Sequence, residues 1–320
     1  MLDIVPSWEV ILTSMEATWR WSLLAALAPI AWGTTYFVTR HALPADHPLY
    51  GAVLRALPAG LVLLAVCRRL PRGSWWWRSL VLGALNMGAF FALVYLAAQL
   101  LPTSVAATVM ASSPAVMMLL AWLLLAERPR PQALAGVAVG VLGVYVLLAT
   151  GVGRVEPLGV LASVAAMTMS SVGYVLAKKW TTDVPVLAST AWQLIAGGLV
   201  LLPAALLVEG TPPALDTKAL LGFGYVSVIG TAVAFAAWFT GLRHLSAGTV
   251  GLIGLLNPVA GVLVGTAIAG ERLTVQQLLG LGLVLVGVLL GQSRRRATSR
   301  SVGTGSPGYC PDGPSCRMRP

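Results

Sequence analysis

The sequence contains few charged residues for its length. Of its 320 residues, 10% are charged and 57% are hydrophobic, and the mean hydropathy is +0.83. Soluble domains carry about 25% charged residues. A soluble core cannot bury this much apolar surface, so the predicted solvent for most of the chain is lipid. The composition therefore argues against a soluble globular protein.

Acidic residues are also missing from the middle of the apolar stretches. All 11 of them map to predicted loops, tails or helix ends: Asp3, Glu9, Glu16, Asp46, Glu127, Glu156, Asp183, Glu209, Asp216, Glu271 and Asp312. This placement argues against proton coupling through a buried carboxylate and against a site for cationic drugs. Glu127 and Glu271 lie at helix corners, where we expect each to cap the corner and pair with the arginine that follows it.

Motifs for catalysis, nucleotide binding and metal binding are absent as well. The sequence has no G-x4-G-K-[ST] motif and no H-E-x-x-H motif. Its 3 cysteines match no zinc spacing or disulfide framework, and its 3 histidines are scattered at loop edges. These absences predict a protein that is not an enzyme and has no cofactor and no metal. Without a nucleotide-binding motif, no process driven by ATP is expected.

Apolar runs of about 18–24 residues are abundant, and each is long enough to cross a hydrocarbon core of ~30 Å. We predict ten transmembrane helices, separated by breaks rich in proline, glycine and charge. They are 22–41, 48–67, 79–99, 103–126, 132–150, 157–178, 186–208, 219–242, 246–269 and 274–291. If the N-terminus is inside, 16 lysines and arginines lie inside, 4 lie outside, and Arg55 falls within a helix. The positive-inside rule therefore predicts that both termini are cytoplasmic.

One stretch of the chain occurs twice. Residues 101–148 and 245–292 align without a gap at an offset of 144 positions. Each copy contains an apolar helix with a proline in mid-span, then a Glu-Arg corner, then a second apolar helix with spaced glycines. Pro114 and Pro258 are the matched prolines. The spaced glycines fit packing within the bundle or a dimer face, and packing is the preferred interpretation.

The duplication predicts an all-α fold of two five-helix repeats, residues 21–150 and 151–291. An odd number of helices per repeat gives the two copies opposite orientations. Such inverted repeats allow one midplane site to open to either side of the membrane in turn, by alternating access.

Two flanking segments complete the predicted organisation. Residues 1–20 are predicted to form a short interfacial or disordered arm, with Met15 as an alternative start. Residues 292–320 are predicted to be a disordered, basic, cytoplasmic tail. Arg294–Arg296 in that tail are expected to meet anionic lipid headgroups. Nucleic-acid binding is not predicted.

With these features in place, the sequence resembles the EamA-like family of the drug/metabolite transporter superfamily over residues 22–291. The resemblance rests on the duplicated ten-helix plan, on Trp32-Gly33, and on two Pro-x12-Glu-Arg-x3-Gln-x3-Gly segments. It implies a multi-pass exporter of metabolites or amino acids in the bacterial plasma membrane, with the lipid bilayer and a small-molecule substrate as its partners. A monomer and a homodimer both remain open. The alternative function is a non-transporting membrane scaffold or sensor subunit.

A set of polar and aromatic residues within the spans is the candidate lining of a central cavity. Its members are Trp32, Tyr36, Arg55, Asn86, Tyr95, Ser113, Tyr174, Gln193, Trp238 and Asn257. For any one of them, a contact between helices is an equally good interpretation. Arg55 either extends to the membrane surface or faces the cavity, where it would meet a carboxylate or phosphate. Pro114 and Pro258 are the candidate hinges, with simple packing kinks as the alternative. As a set, the lining suits amino acids or uncharged metabolites.

Overall fold

The computed structural model describes residues 7–42, 47–101, 109–148, 156–269 and 274–292. All regular structure within these ranges is helical. Eight helical stretches within these ranges are long and apolar enough to cross a membrane, and three of them combine consecutive elements of the order below. The chain is therefore a multi-pass, all-α membrane protein. The total of ten crossings and the side on which each terminus lies stay predictions.

The elements follow one another along the chain with short connections. In order they are α1 (Ser7–Ala42), α2 (Pro48–Cys67), α3 (Trp75–Gly83), the π-helical segment π1 (Ala84–Gly88), α4 (Ala89–Leu100), α5 (Ser113–Leu125), α6 (Pro131–Leu148), α7 (Pro157–Trp180), α8 (Val186–Val208), α9 (Thr217–Ser227), the π-helical segment π2 (Val228–Val233), α10 (Ala234–His244), α11 (Ala247–Gly254), α12 (Leu256–Ala269) and α13 (Val275–Gln292). Each π segment directly connects the α-helix before it to the α-helix after it, so the three elements form one continuous helix.

The N-terminal part of the chain, for which an interfacial or a disordered arm was predicted, is helical from Ser7 onward. Residues 7–20 are helical and form the first turns of α1, whereas residues 1–6 lie outside the described part. Glu9 and Glu16 do not interrupt this helix, because glutamate has high helix propensity, as have the alanine, leucine and methionine of residues 7–20. By contrast, α2 matches the predicted 48–67. Pro48 favours its first turn, and Arg68 ends it in a left-handed conformation with φ of 49°.

The matched prolines lie at helix breaks and not in mid-helix as predicted. Pro114 is in the first turn of α5, directly after a turn at Ser112. Pro258 is in the first turn of α12, directly after a turn at Leu255. A proline has no backbone N–H to donate, so the first turn, where that donor is unsatisfied anyway, is the position it tolerates best. At Pro258 the break separates α11 from α12. Before the turn at Ser112, residues 102–108 lie outside the described part.

Two pairs of helices pack closely along their length, α2 with α8 and α6 with α13. α1 lies against α10 and α12, while α7 lies against α4 and α5. Small residues allow this close packing of helices, since alanines at 25, 28, 59, 188, 191 and 234 are completely buried.

Large apolar side chains cover the outside of the bundle, including Leu207 at 86% exposure and Leu123 at 67%. An outer surface of this kind is stable against lipid tails and unfavourable in water.

Glycines bring α6 and α13 into backbone contact within one chain. A Cβ atom added to Gly136 would lie 2.6 Å from the Gly287 carbonyl oxygen, and one added to Gly143 would lie 2.6 Å from the Val284 nitrogen. The corresponding distance at Gly280 is 2.5 Å, to the Leu147 nitrogen. Packing within the bundle, the preferred interpretation of these glycines, agrees with this contact.

Replacement of Gly280 by alanine is expected to destabilise the protein by about 1–3 kcal/mol, because the added methyl group would press on the backbone of α6. Gly282 offers a matched control two residues away, since an added Cβ there meets nothing within 4 Å. Gly282→Ala should be neutral or stabilising by up to about 1 kcal/mol, the difference in helix propensity. Thermal unfolding in detergent, followed by tryptophan fluorescence, compares the two. Equal effects would contradict the packing described above.

Candidate functional site

Aromatic side chains from three helices meet in the interior of the bundle. The ring of Trp32 in α1 lies 5.1 Å from that of Phe235 and 5.2 Å from that of Trp238, both in α10. Tyr174 in α7 lies 5.5 Å from Trp238 and 5.9 Å from Phe239. We call these five residues the aromatic cluster. Such tilted and edge-on arrangements are favourable beyond the burial of the rings.

Hydrogen-bonding atoms in and beside the aromatic cluster have no partner among the described residues. They are Nε1 of Trp32, Nε1 of Trp238 and Oδ1 of Asn257. Asn257 is close to the cluster because Gly33, next to Trp32, packs on α12, where an added Cβ would lie 2.8 Å from the Asn257 backbone oxygen. Buried polar atoms usually find a partner, and those that do not call for an explanation such as water or a ligand.

The two π-helical segments interrupt two long helices at corresponding positions. π1 begins at Ala84 and π2 begins at Val228, 144 residues later, the same offset that relates the duplicated stretches. A π turn contains one more residue than an α turn and leaves backbone groups poorly paired, and such turns occur frequently at functional sites. At π2 the Thr231 hydroxyl supplies an additional hydrogen bond, because it donates to the Val226 carbonyl at 2.8 Å.

Each π segment carries a polar contact to a neighbouring helix. Asn86 in π1 donates from Nδ2 to Gln193 Oε1 in α8 at 2.9 Å, and both side chains are fully buried. At π2, Nε of Arg55 in α2 donates to the Thr231 hydroxyl at 3.2 Å. Arg55 and Gln193 thus each meet one of the two π segments, Arg55 at π2 and Gln193 at π1.

The guanidinium of Arg55 lies between helices of the bundle. Its Nη2 also donates to the Gly230 carbonyl at 3.5 Å, and its central carbon lies 4.9 Å from the centre of the Phe91 ring. The second contact is a cation–π interaction, which stabilises a charge away from water. The side chain therefore lies against π2 and α4 instead of running along α2 to the membrane surface.

The structure brings together some of the predicted cavity residues and separates others. Trp32, Tyr174 and Trp238 are in direct contact, and Asn86 pairs with Gln193. Ser113 and Pro114 begin α5, and Pro114 there packs against Gly251 of α11. The side chains of Tyr36 and Tyr95 lie outside the described part.

Sequence reasoning missed two kinds of site residue. Phe91, Phe235 and Phe239 were passed over because phenylalanine in an apolar helix gives no signal that distinguishes a site from general packing. The π segments were missed because no residue pattern in the sequence predicts a π-helical turn. The shared offset of 144 becomes informative only once one of them is known.

An ion pair connects three segments at one end of the bundle. Lys178 in the last turn of α7 contacts Glu127 Oε1 at 2.5 Å and donates to the Leu245 carbonyl at 2.5 Å. Oε2 of Glu127 accepts from the Ala247 backbone N–H at 3.0 Å, at the start of α11. Capping by Glu127 was expected, but the helix it caps is α11. Its ionic partner is Lys178 and not the neighbouring Arg128. Glu271 lies outside the described residues.

Tryptophans flank Arg78 at the end of the bundle that carries Lys178. Trp76 and Trp77 are 64% and 51% exposed, as is typical of tryptophans in the aromatic belt at a membrane interface. Trp75 differs from them, because its ring is buried 5.4 Å from that of Trp192. The Arg78 guanidinium lies 5.7 Å from both Trp77 and Trp180. Only two of the three consecutive tryptophans are thus available to a membrane interface.

Another glutamate caps α2. Oε1 and Oε2 of Glu209 accept from the backbone N–H groups of Leu49 and Tyr50 at 2.6 and 2.9 Å. Glu209→Ala is expected to destabilise the protein by about 1–2 kcal/mol, since both donors at this helix start lose their acceptor. The exposed Asp183 is the control, and its replacement by alanine should change stability by less than about 0.5 kcal/mol. Thermal unfolding tests this, and an unchanged melting temperature for Glu209→Ala would contradict the capping role.

A comparison with known families identifies the kind of protein. The model of the EamA-like transporter family matches the chain twice, over residues 19–149 and 157–291. The chain belongs to the EamA-like transporter family. This family falls within the drug/metabolite transporters, which transport and do not catalyse reactions, so the bundle described above belongs to a membrane transporter.

Two of the following three relatives of this family member are named as a transporter or an efflux pump. It is 38% identical to protein PecM of Dickeya dadantii over 271 residues, covering 84% of this chain and 91% of that protein. It is 29% identical to the inner membrane transporter YedA of Escherichia coli over 267 residues, covering 82% and 87%. A probable amino-acid metabolite efflux pump of Salmonella typhimurium is 26% identical over 301 residues, covering 88% and 98%.

The fold has a counterpart among solved structures. One crystal structure superposes with a TM-score of 0.75 and covers 85% of this chain and 96% of its own, at 22% sequence identity. The helical architecture of this EamA-like chain is thus shared with an experimentally determined protein.

Proposed function

We propose that this EamA-like protein is a secondary exporter of small metabolites, such as amino acids, across the bacterial plasma membrane. The observation that carries the proposal is the aromatic cluster, with its indole N–H groups that lack partners in the described part of the bundle. Among the described residues its surroundings are aromatic and neutral, with an electrostatic interaction between the Arg55 cation and Tyr174. Such a lining binds a small planar or amphipathic molecule better than it binds a free inorganic ion. The name of the Salmonella relative, which refers to amino-acid metabolites, supports the substrate class.

The proposed mechanism is alternating access between two inverted five-helix repeats, with both termini cytoplasmic. Two features support it. The π segments start 144 residues apart, and Arg55 of α2 meets π2 just as Gln193 of α8 meets π1. The aromatic cluster joins α1 to α7 and α10, so rocking of one half against the other would open it. The helix breaks before Pro114 and Pro258 provide candidate hinges.

Transport is tested with purified protein in liposomes loaded with a broad panel of labelled metabolites that includes all the amino acids. Efflux of at least one compound above the rate of protein-free liposomes is the expected result. The matched control is a Trp32→Ala, Trp238→Ala double variant, which should show no efflux of that compound. Absence of flux across the whole panel, together with absence of any thermal stabilisation, would favour a scaffold or sensor subunit instead.

A further inference from the structure

Two hydrogen-bonding atoms beside π1 are left without partners. Asn86 uses its Nδ2 to donate to Gln193 Oε1. The other two amide atoms, Asn86 Oδ1 and Gln193 Nε2, have no hydrogen-bond partner within the described ranges. Both side chains are at 0% exposure, where an unmade hydrogen bond is destabilising. A pair that served only to connect π1 to α8 would be more stable with both free atoms satisfied.

The free acceptor lies against Gly173, the residue that precedes Tyr174 of the aromatic cluster. A Cβ atom added to Gly173 would lie 2.0 Å from Asn86 Oδ1, so the oxygen occupies the space that a side chain at 173 would fill. The next residue, Tyr174, is a member of the cluster. On the other side, the end of α3 that leads into π1 approaches α8 so closely that a Cβ added to Gly83 would lie 2.7 Å from the Gln193 backbone oxygen. The amide pair therefore lies between π1, α7 and α8, beside the part of α7 that carries Tyr174.

We propose that Asn86 and Gln193 recognise an uncharged amide group, either a carboxamide or a cyclic amide, on the transported molecule. Oδ1 of Asn86 accepts the N–H of that group, and Nε2 of Gln193 donates to its carbonyl. The two free atoms flank a single hydrogen bond, so together they present one acceptor and one donor to one bound group. This inference rests on the proposed transport function and narrows its substrate class.

The same atoms discriminate against acids. A carboxylate offers only acceptors, so one of its oxygens would face Asn86 Oδ1 with no hydrogen between them. A site that hydrogen-bonds one group rejects the analogue that leaves its own buried polar atom unpaired. The π turn that carries Asn86 is where the helix rearranges to admit the group, since its extra residue makes the local hydrogen bonding less regular.

The experiment compares amides with acids of nearly the same shape. The full-length protein in detergent is heated in the presence of nicotinamide or nicotinate, and of glutamine or glutamate. At least one amide should raise the melting temperature at a concentration where its acid partner does not. The double variant Asn86→Leu, Gln193→Met removes all four amide polar atoms at similar volume. We expect this variant to bind the amide at least tenfold more weakly while its melting temperature without ligand stays equal or rises.

Ser171→Ala is the control, because its buried hydroxyl donates to the Met167 carbonyl of its own helix, and it should keep the amide response. Acids that stabilise as strongly as amides, no stabilisation by any amide, or an unaltered amide response in the double variant would each overturn the proposal. If the amide proposal fails in one of these ways, flux of other metabolites through liposomes would still support the proposed transport function. Failure of the amide proposal is therefore distinguishable from failure of the transport proposal.

Discussion

Glu127→Gln is expected to reduce transport about tenfold while leaving the fold intact. Glutamine keeps an oxygen that can accept from the Ala247 N–H at the start of α11, but it loses the charge that holds Lys178 at 2.5 Å. The side chains of Lys178 and Glu127 are only 16% and 27% exposed, so solvent screens the pair less than it screens a surface ion pair. Loss of a hydrogen bond to a charged group costs about 1.5–3 kcal/mol.

The ion pair should act on the transport cycle because of the segments it joins. Glu127 follows α5 in the first half of the chain, whereas Lys178 and Ala247 belong to the second half. The contact therefore holds the two halves together at the end of the bundle that the charge distribution predicts to be cytoplasmic. Alternating access requires this end to open and close, so weakening the contact shifts the balance between the two states. A shift of about 1.4 kcal/mol is tenfold in an equilibrium constant.

Three further variants separate the ion pair from the cap. Glu127→Leu removes both interactions and should lower transport and the melting temperature more than Glu127→Gln does. Lys178→Met should reproduce the transport defect of Glu127→Gln. Arg128→Ala is the control, since the side chain at 128 is exposed and should leave transport unchanged. Initial rates of efflux from liposomes are compared among the four variants and the unchanged protein. Full activity in both Glu127→Gln and Lys178→Met would show that the ion pair has no role in the transport cycle.

Trp238→Ala is expected to abolish transport and to destabilise the protein by about 3–5 kcal/mol, the usual cost of truncating a buried large aromatic side chain. Trp238 is 2% exposed and contacts both Trp32 and Tyr174. The alanine variant would thus leave a cavity at the junction of α1, α7 and α10. Thermal unfolding and efflux rates measure the two effects separately.

Two other substitutions keep the result informative if Trp238→Ala folds poorly. Trp238→Phe preserves an aromatic ring but removes the indole N–H, which has no partner in the described part of the chain. It should therefore retain most of the stability and lose roughly tenfold in transport, as expected for one hydrogen bond to substrate. Trp122→Ala, at a residue that is 50% exposed on the outside of the bundle, should change transport little. Normal transport by Trp238→Phe would mean that the indole N–H does not contact the substrate.

The membrane class and most helix boundaries could be predicted from the sequence because they depend on local properties. An apolar run must match the thickness of the bilayer, and proline, glycine and charge end it. For this reason the prediction of 48–67 and 186–208 coincides with α2 and α8. Local pattern was not sufficient at Pro114 and Pro258, where a proline within a span fits either a kink or a helix break. Only the backbone of the folded chain showed the breaks before both.

The candidate site could be predicted in part. Trp32 and Trp238 stood out because tryptophan is rare enough to notice within a span, and their rings do meet. The pairing of Glu127 with its neighbour Arg128 was the expectation because adjacent charges are all that a sequence displays. The folded chain brings Lys178 to Glu127 instead, from 51 residues away. Partners so far apart in sequence are chosen by helix packing, and no local rule encodes them.

The sequence by itself determined that the chain is a multi-pass helical membrane protein, since hydropathy and span length obey the physics of the bilayer. It also displayed the 144-residue offset of the duplicated stretches. The tertiary structure alone decided that Asn86 meets Gln193, that Arg55 lies against π2, and that tryptophan rings from α1 and α10 touch. Those contacts arise from the geometry of packed helices, in which close approach at glycines and the register of one helix against another place distant side chains together.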